Sequence, residues 1–177
     1  CAKELEINKQ RTIDLFHASL LHDCGVSSTK VHDNLVTQLD WEGSENHCIR
    51  GFQLLKSSEV VKHLSSIILY HHTHWNTLKK LHIDKETAQL SNLIFLVDRV
   101  DALCAQHINK NKKNSLLAVS YVIQKEISQL SGLFFDPALV EIFLKVSKKE
   151  VFWFTLEEEN LHRYFENFIQ YIGYKNI

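Results

Sequence analysis

Four places in this chain set imidazole or carboxylate side chains into helix-forming, largely apolar surroundings. They are His22-Asp23 in HASLLHDCG, His47 in ENHCIRGFQLL, His71-His72 in IILYHHTHW, and Asp98 in NLIFLVDRVDAL. Each has an ordinary reading when taken alone. Asp23 suits a polar position near a helix C-terminus that Gly25 ends. His47 suits the outer face of an amphipathic helix, and His71, His72 and His74 suit a solvated cluster. Asp98 lies in the most hydrophobic stretch, where an unpaired carboxylate is costly, so it calls for a salt bridge with Arg99 or another base, or for a metal. Taken together the four are more specific. Imidazole and carboxylate donors suit iron, manganese, zinc or nickel, and one aspartate can bridge two ions. Two such ions activate a water and hold both oxygens of a phosphoryl displacement. An adjacent His-Asp pair fits that chemistry, the imidazole serving one ion and the carboxylate spanning both.

Helices must position such a set. The chain has only 5 Gly and 1 Pro, and its apolar residues recur at helical spacing, which predicts an all-α fold. The pattern places helices over 2–23, 41–55, 59–72, 85–106 and 115–130, with a Ser/Thr-rich connector at 25–34, a polar loop at 74–84 and a basic loop at 107–114. Asp136 as N-cap and Pro137 at the first position open a helix through Lys149. Thr155 and Glu158 have the spacing of a capping box for a last helix ending near Tyr171. No repeat, low-complexity tract or linker divides the 177 residues, which predicts a single domain over 1–177.

A net charge of −1 argues against a general nucleic-acid or membrane-surface binder. No apolar run approaches the length of a membrane span. Cys1, Cys24, Cys48 and Cys104 are widely spaced, with no Cys-x-x-Cys pair, as expected of reduced thiols in a cytoplasmic protein. Histidine is over-represented, at 11 residues, and methionine is absent even from position 1, which reads as a piece of a longer protein.

The order and spacing of HASLLHDCG, ENHCIRGFQLL, IILYHHTHW, FLVDRVDAL and GLFFDPALVEIFL resemble the HD superfamily of metal-dependent phosphohydrolases. Within it they are most similar to the HD-GYP family of cyclic di-GMP phosphodiesterases, over roughly positions 10 to 150. The resemblance implies an HD-type bundle of seven or more helices. It implies His22, Asp23, His47, His71, His72 and Asp98 as ligands of two transition-metal ions, iron or manganese before nickel or zinc. Asp23 would be the bridging and catalytic carboxylate, and a hydroxide on the metals, rather than a side chain, the nucleophile. The implied ligand is a cyclic dinucleotide or other nucleotide.

The departures fall at the substrate-handling edge. The family has a lysine directly after His-Asp-x-Gly, where this chain has Val26. The Gly-Tyr-Pro signature is missing from NTLKKLHID, residues 76–84. Where the family carries an Arg and a Lys beyond its last metal-binding Asp, this chain has His107 and Lys110, with Lys112 and Lys113 close by. Charge is partly kept there, and the bidentate fork of arginine is lost. Further family ligands lie upstream of the His-Asp pair, beyond the start of this chain, which supports N-terminal truncation. Two outcomes follow: an active phosphodiesterase, with Lys110 and His107 as substrate contacts, or a catalytically degenerate domain that binds metal or nucleotide and signals to a protein partner. A third reading, a helical interaction module or homodimer, would need EVFWFTL (150–156) exposed rather than covering the end of the bundle.

Overall fold

A computed structural model describes residues 4–38, 43–110 and 115–173, with the backbone alone at 36, 109, 110 and 158. Helices α1 (Lys9–Leu21), α2 (Thr29–Thr37) and α3 (Ser44–Lys56) are followed by a 3₁₀ turn (Lys62–Leu64), α4 (Ser65–Tyr70) and the single turn α5 (Trp75–Leu78). Then come α6 (Lys85–Lys110), α7 (Leu116–Gln129), α8 (Pro137–Ser147), α9 (Glu150–Leu156) and α10 (Glu158–Ile172). Among the described residues there is no strand, only an isolated bridge between Ser131 and Phe135. The all-α expectation therefore holds.

The long helix α6 organises the bundle because it is apolar on more than one face. Leu90 and Ile94 join Ala18, Leu55, Leu64, Ile67 and Ile68 in one buried cluster. Phe95, Leu96, Val100 and Leu103 enter a second with Ile123, Ile127, Phe135, Leu139, Phe143 and Trp153. Side chains removed from water on both sides stabilise α6 by roughly 1.5–3 kcal/mol for each large residue. Asn92 adds a polar tie, donating to Phe134 O and accepting from Asp136 N.

Local chemistry moved several expected boundaries. The first helix begins at Lys9 rather than Ala2, because the Asn8 side chain caps it through Arg11 N. The supposed connector at 25–34 contains α2: its serines include the N-cap, Ser28, which accepts from Val31 N. The polar stretch after His74 makes the turn α5, and α6 continues past Gln106 into the expected basic loop. Asp136 caps α8 through Ala138 N, as expected. The capping box does not form. The N-cap of α10 is Glu157 with no side-chain cap bond, and Thr155 Oγ1 instead donates back to Phe152 O. In α9, Trp153 is 1% exposed and donates Nε1–H to Ser147 O, while Phe152 packs on the core and Phe154 alone of the three is 43% exposed. The aromatics of EVFWFTL thus mainly close the bundle. No described helix is long and apolar enough to cross a membrane.

Candidate metal centre

Two of the histidines stand just past helix ends, and the same local device aims both. His22 is the C-cap of α1 and His71 the C-cap of α4. Their Nδ1 atoms lie 2.8 Å from Ser19 O and 2.6 Å from Ile68 O, each a carbonyl three residues back. A carbonyl oxygen only accepts, so Nδ1 carries the proton in both rings and Nε2 is left as a lone pair. Helix ends leave such carbonyls without intrahelical partners, so the device also satisfies the helix.

Each lone pair faces a further ligand-type atom, an acceptor in Asp23 and an imidazole nitrogen in His47. His22 Nε2 is 3.4 Å from Asp23 Oδ2, and His71 Nε2 is 3.1 Å from His47 Nε2. His47 Nε2 lies 3.3 Å from Asp23 Oδ1 in an arrangement that makes no hydrogen bond, so Oδ1 is a buried acceptor without a donor; His47 Nδ1 is likewise unpartnered. Donor atoms of Asp23, His47, His71 and His72 all lie within 4.8 Å of one another. Ligands about 2.1 Å from one cation sit roughly 3.0–3.4 Å apart, the range of these contacts. A set of imidazole and carboxylate ligand atoms crowded around a common point fits a divalent cation, and the chain carries a divalent metal site here.

The electrostatics agree with that reading. Burial, reinforced by His22 and Arg50, pushes His47 down to about 4, and burial drives His71 and His72 well below the usual histidine range. All three are neutral at pH 7, the form that ligates. Burial, with Asp98 adding like charge, raises Asp23. A cation would relieve both.

The sign of the pH dependence follows. Below about 6.5 the unfolded chain takes up protons that the three buried imidazoles refuse, so the metal-free protein should lose stability as pH falls from 6.5 to 5. Asp23, with its raised value, offsets this only nearer its own titration. Urea midpoints of chelator-treated protein across that window check it; a flat profile would contradict the buried, neutral histidines.

Asp98 stands one step apart from the four. Its Oδ1 is 3.9 Å from His22 Nε2 and its Oδ2 3.8 Å from His72 Nε2, but Oδ2 also accepts from Arg99 Nη2 at 2.7 Å and Nε at 3.2 Å. The salt bridge with Arg99 is therefore real, and Oδ1 is the oxygen it leaves available. Arg99 is itself anchored, Nη1 donating to Gln38 O at the end of α2. His74 does not join the centre, since its ring stacks on Phe134 at 3.9 Å. His107 lies about 2.5 turns beyond Asp98, hence on the opposite side of α6, where Nε2 is 3.3 Å from Glu126 Oε1. The Lys110 side chain, and Lys112 and Lys113 entirely, fall outside the described residues.

Gly25 has a role that reading it as a helix stop misses. A Cβ there would lie 2.0 Å from His47 O and 2.5 Å from Gly51 N. The His-Asp turn presses backbone to backbone onto α3, which brings Asp23 to His47. Cys48, packed with its Sγ 3.5 Å from His71 Nδ1, and Asp101, raised by burial and by Asp98, are further neighbours that the metal-ligand pattern did not mark.

An all-helical bundle that gathers a His-Asp pair and three further histidines from successive helices defines a helical metal-site domain. The HD domain family matches residues 2–106, and the chain belongs to it. The chain is 31% identical over 161 residues to the 3′3′-cGAMP-specific phosphodiesterase 1 of Vibrio cholerae serotype O1, covering 91% of this chain and 37% of that protein. It is 26% identical over 171 residues to the Cyclic di-GMP phosphodiesterase of Thermotoga maritima, covering 91% of this chain and 45% of that protein. The chain thus spans less than half the length of either relative. No solved structure gives a significant match.

Proposed function

We propose that this chain is the catalytic domain of a metal-dependent phosphodiesterase that opens a cyclic dinucleotide, cyclic di-GMP or its cGAMP counterpart. The observation that carries this reading is the meeting of Asp23, His47, His71 and His72 with two lone-pair nitrogens and an unpartnered buried carboxylate oxygen. The activities of both relatives, as their names give them, support the substrate class.

In this reading Asp23 would be shared by two ions, its Oδ2 being turned to His22 and its Oδ1 to His47. His22 and Asp98 serve one side; His47, His71 and His72 serve the other. Iron or manganese is our first choice for both ions. When bound, the ions supply Lewis acidity and a water made nucleophilic near neutral pH. The carbonyls of Ser19 and Ile68 hold the two imidazoles in the ligating tautomer, and Arg99 fixes the carboxylate of Asp98. Lys110 remains our proposed phosphate contact from the end of α6. A contact from His107 requires its pair with Glu126 to open.

The test offers protein loaded with iron or manganese a panel of cyclic and linear dinucleotides, with products separated by chromatography and metal content measured alongside. More than one transition metal per chain and conversion of a cyclic dinucleotide to its linear form, or to mononucleotide, are expected. Binding with no product under any metal would favour a signalling domain. The absence of both binding and turnover would overturn the nucleotide reading.

A further inference from the structure

Beyond the oxygens that the ions take, a phosphodiester leaves others that a cationic side chain at the edge of the centre can hold. Arg99 is 2% exposed and engaged by Asp98 and the Gln38 carbonyl, and His107 is engaged by Glu126. Arg50 is placed differently. It lies three residues beyond His47 on α3, on a neighbouring position of the same helix side. Its Nε donates 2.7 Å to Gly25 O, two residues past Asp23, in the turn whose backbone presses directly onto His47 and Gly51. The guanidinium is thereby fastened at the seam between the two segments that carry Asp23 and His47. The half-buried side chain makes no ion pair, and Nη1 and Nη2 make no hydrogen bond, among the described residues. An arginine anchored through Nε, with the two terminal nitrogens open, presents the fork that phosphate oxygens fill.

We propose that Arg50 is a phosphate-binding residue of this centre, its Nη1 and Nη2 holding non-bridging oxygens of the scissile group. The inference rests on the phosphodiesterase reading for the identity of the substrate, not for the presence of an anion site. Its test therefore uses inorganic phosphate as probe, titrated calorimetrically into manganese-loaded protein, with Arg50→Ala, Arg50→Gln and Arg50→Lys as variants. Metal content at the wild-type level and phosphate affinity weakened about 10- to 100-fold in Arg50→Ala and Arg50→Gln are expected. Arg50→Lys, which keeps charge without the fork, should fall between. Unchanged phosphate affinity in variants that keep their metal would overturn the proposal. Loss of metal from all three would overturn it too, by making Arg50 a latch for the Gly25 turn. A wild-type protein that takes no phosphate would do the same. If phosphate binds through Arg50 but no cyclic dinucleotide is hydrolysed, the anion site stands and the substrate reading of the preceding section falls.

Discussion

Asp23→Ala should remove metal from the centre and end hydrolysis while the helices remain. The two oxygens of Asp23 face both groups of histidines, 3.4 Å from His22 and 3.3 Å from His47, closer than the 3.8–3.9 Å at which Asp98 does so. Losing it takes a ligand from each proposed ion at once. Changes that only remove a supporting hydrogen bond cost metal affinity about 10–100-fold, so removal of the bridge should exceed that. The helices need not suffer, because in the metal-free protein the Asp23 carboxylate opposes folding. Burial and Asp98 hold its value above that of an exposed aspartate, so the folded state binds its proton more readily than the unfolded chain does. The ionised group therefore weakens the fold near pH 7, and that penalty fades as pH falls. The metal-free variant should melt at or above the wild-type temperature. The contrast appears on loading: metal at 100 times its dissociation constant stabilises the wild type by about 2.7 kcal/mol, or about 5–10 °C in a chain of this size. Asp23→Ala should show none of that shift. Asp23→Asn, which keeps the shape, should behave like it. Full metal content in either variant would make Asp23 an ordinary polar residue at the end of α1.

The centre was legible in the sequence because its chemistry is expensive in those surroundings. Histidines and aspartates embedded among Leu, Ile and Phe have few inexpensive explanations, and their spacing on helices could be read directly. What sequence spacing does not carry is contact between elements. His74 looks like a third member of YHHTHW, yet a proline-free turn sends its ring onto Phe134, sixty positions away in a different loop. Asp98 reads either as ligand or as partner of Arg99, and the geometry makes the two compatible: Oδ2 takes the guanidinium while Oδ1 lies 3.9 Å from His22 Nε2. Helix ends failed for a related reason. Thr155 has the spacing of a cap, but its hydroxyl is satisfied one turn back, at Phe152 O, before α10 begins. Ser28, one of several serines and threonines in an apparent connector, does cap, because its side chain meets Val31 N. Which hydroxyl caps is decided by backbone direction, and composition is blind to that.

Gly25→Ala should damage the centre nearly as much as loss of a ligand, by moving one helix rather than by removing a donor. The added methyl carbon would lie 2.0 Å from His47 O, 2.9 Å from His47 C and 2.5 Å from Gly51 N, all of them backbone atoms. A flexible side chain could swing aside; a helix backbone has to be displaced as a unit. Overpacking a core with side chains usually costs about 1–3 kcal/mol, and a clash with three backbone atoms should reach or exceed the upper end of that range. The first consequence is separation of α3 from the His-Asp turn, which breaks the 2.7 Å bond from Arg50 Nε to Gly25 O and carries His47 away from Asp23. Metal affinity should therefore fall with stability. Two other glycines supply the controls. A Cβ at Gly51 meets the Ile68 Cγ2 methyl at 2.8 Å and no backbone atom closer than 3.7 Å, so Gly51→Ala should be milder. Gly132 has φ +76° and its Cβ would meet Pro137 Cγ at an ordinary 3.9 Å, so Gly132→Ala should cost about 1 kcal/mol through backbone conformation alone and leave metal binding intact. Thermal melting and metal content measured on the three variants separate the cases. Should Gly25→Ala bind metal as well as Gly132→Ala does, the close approach of turn and helix is not what assembles Asp23 with His47.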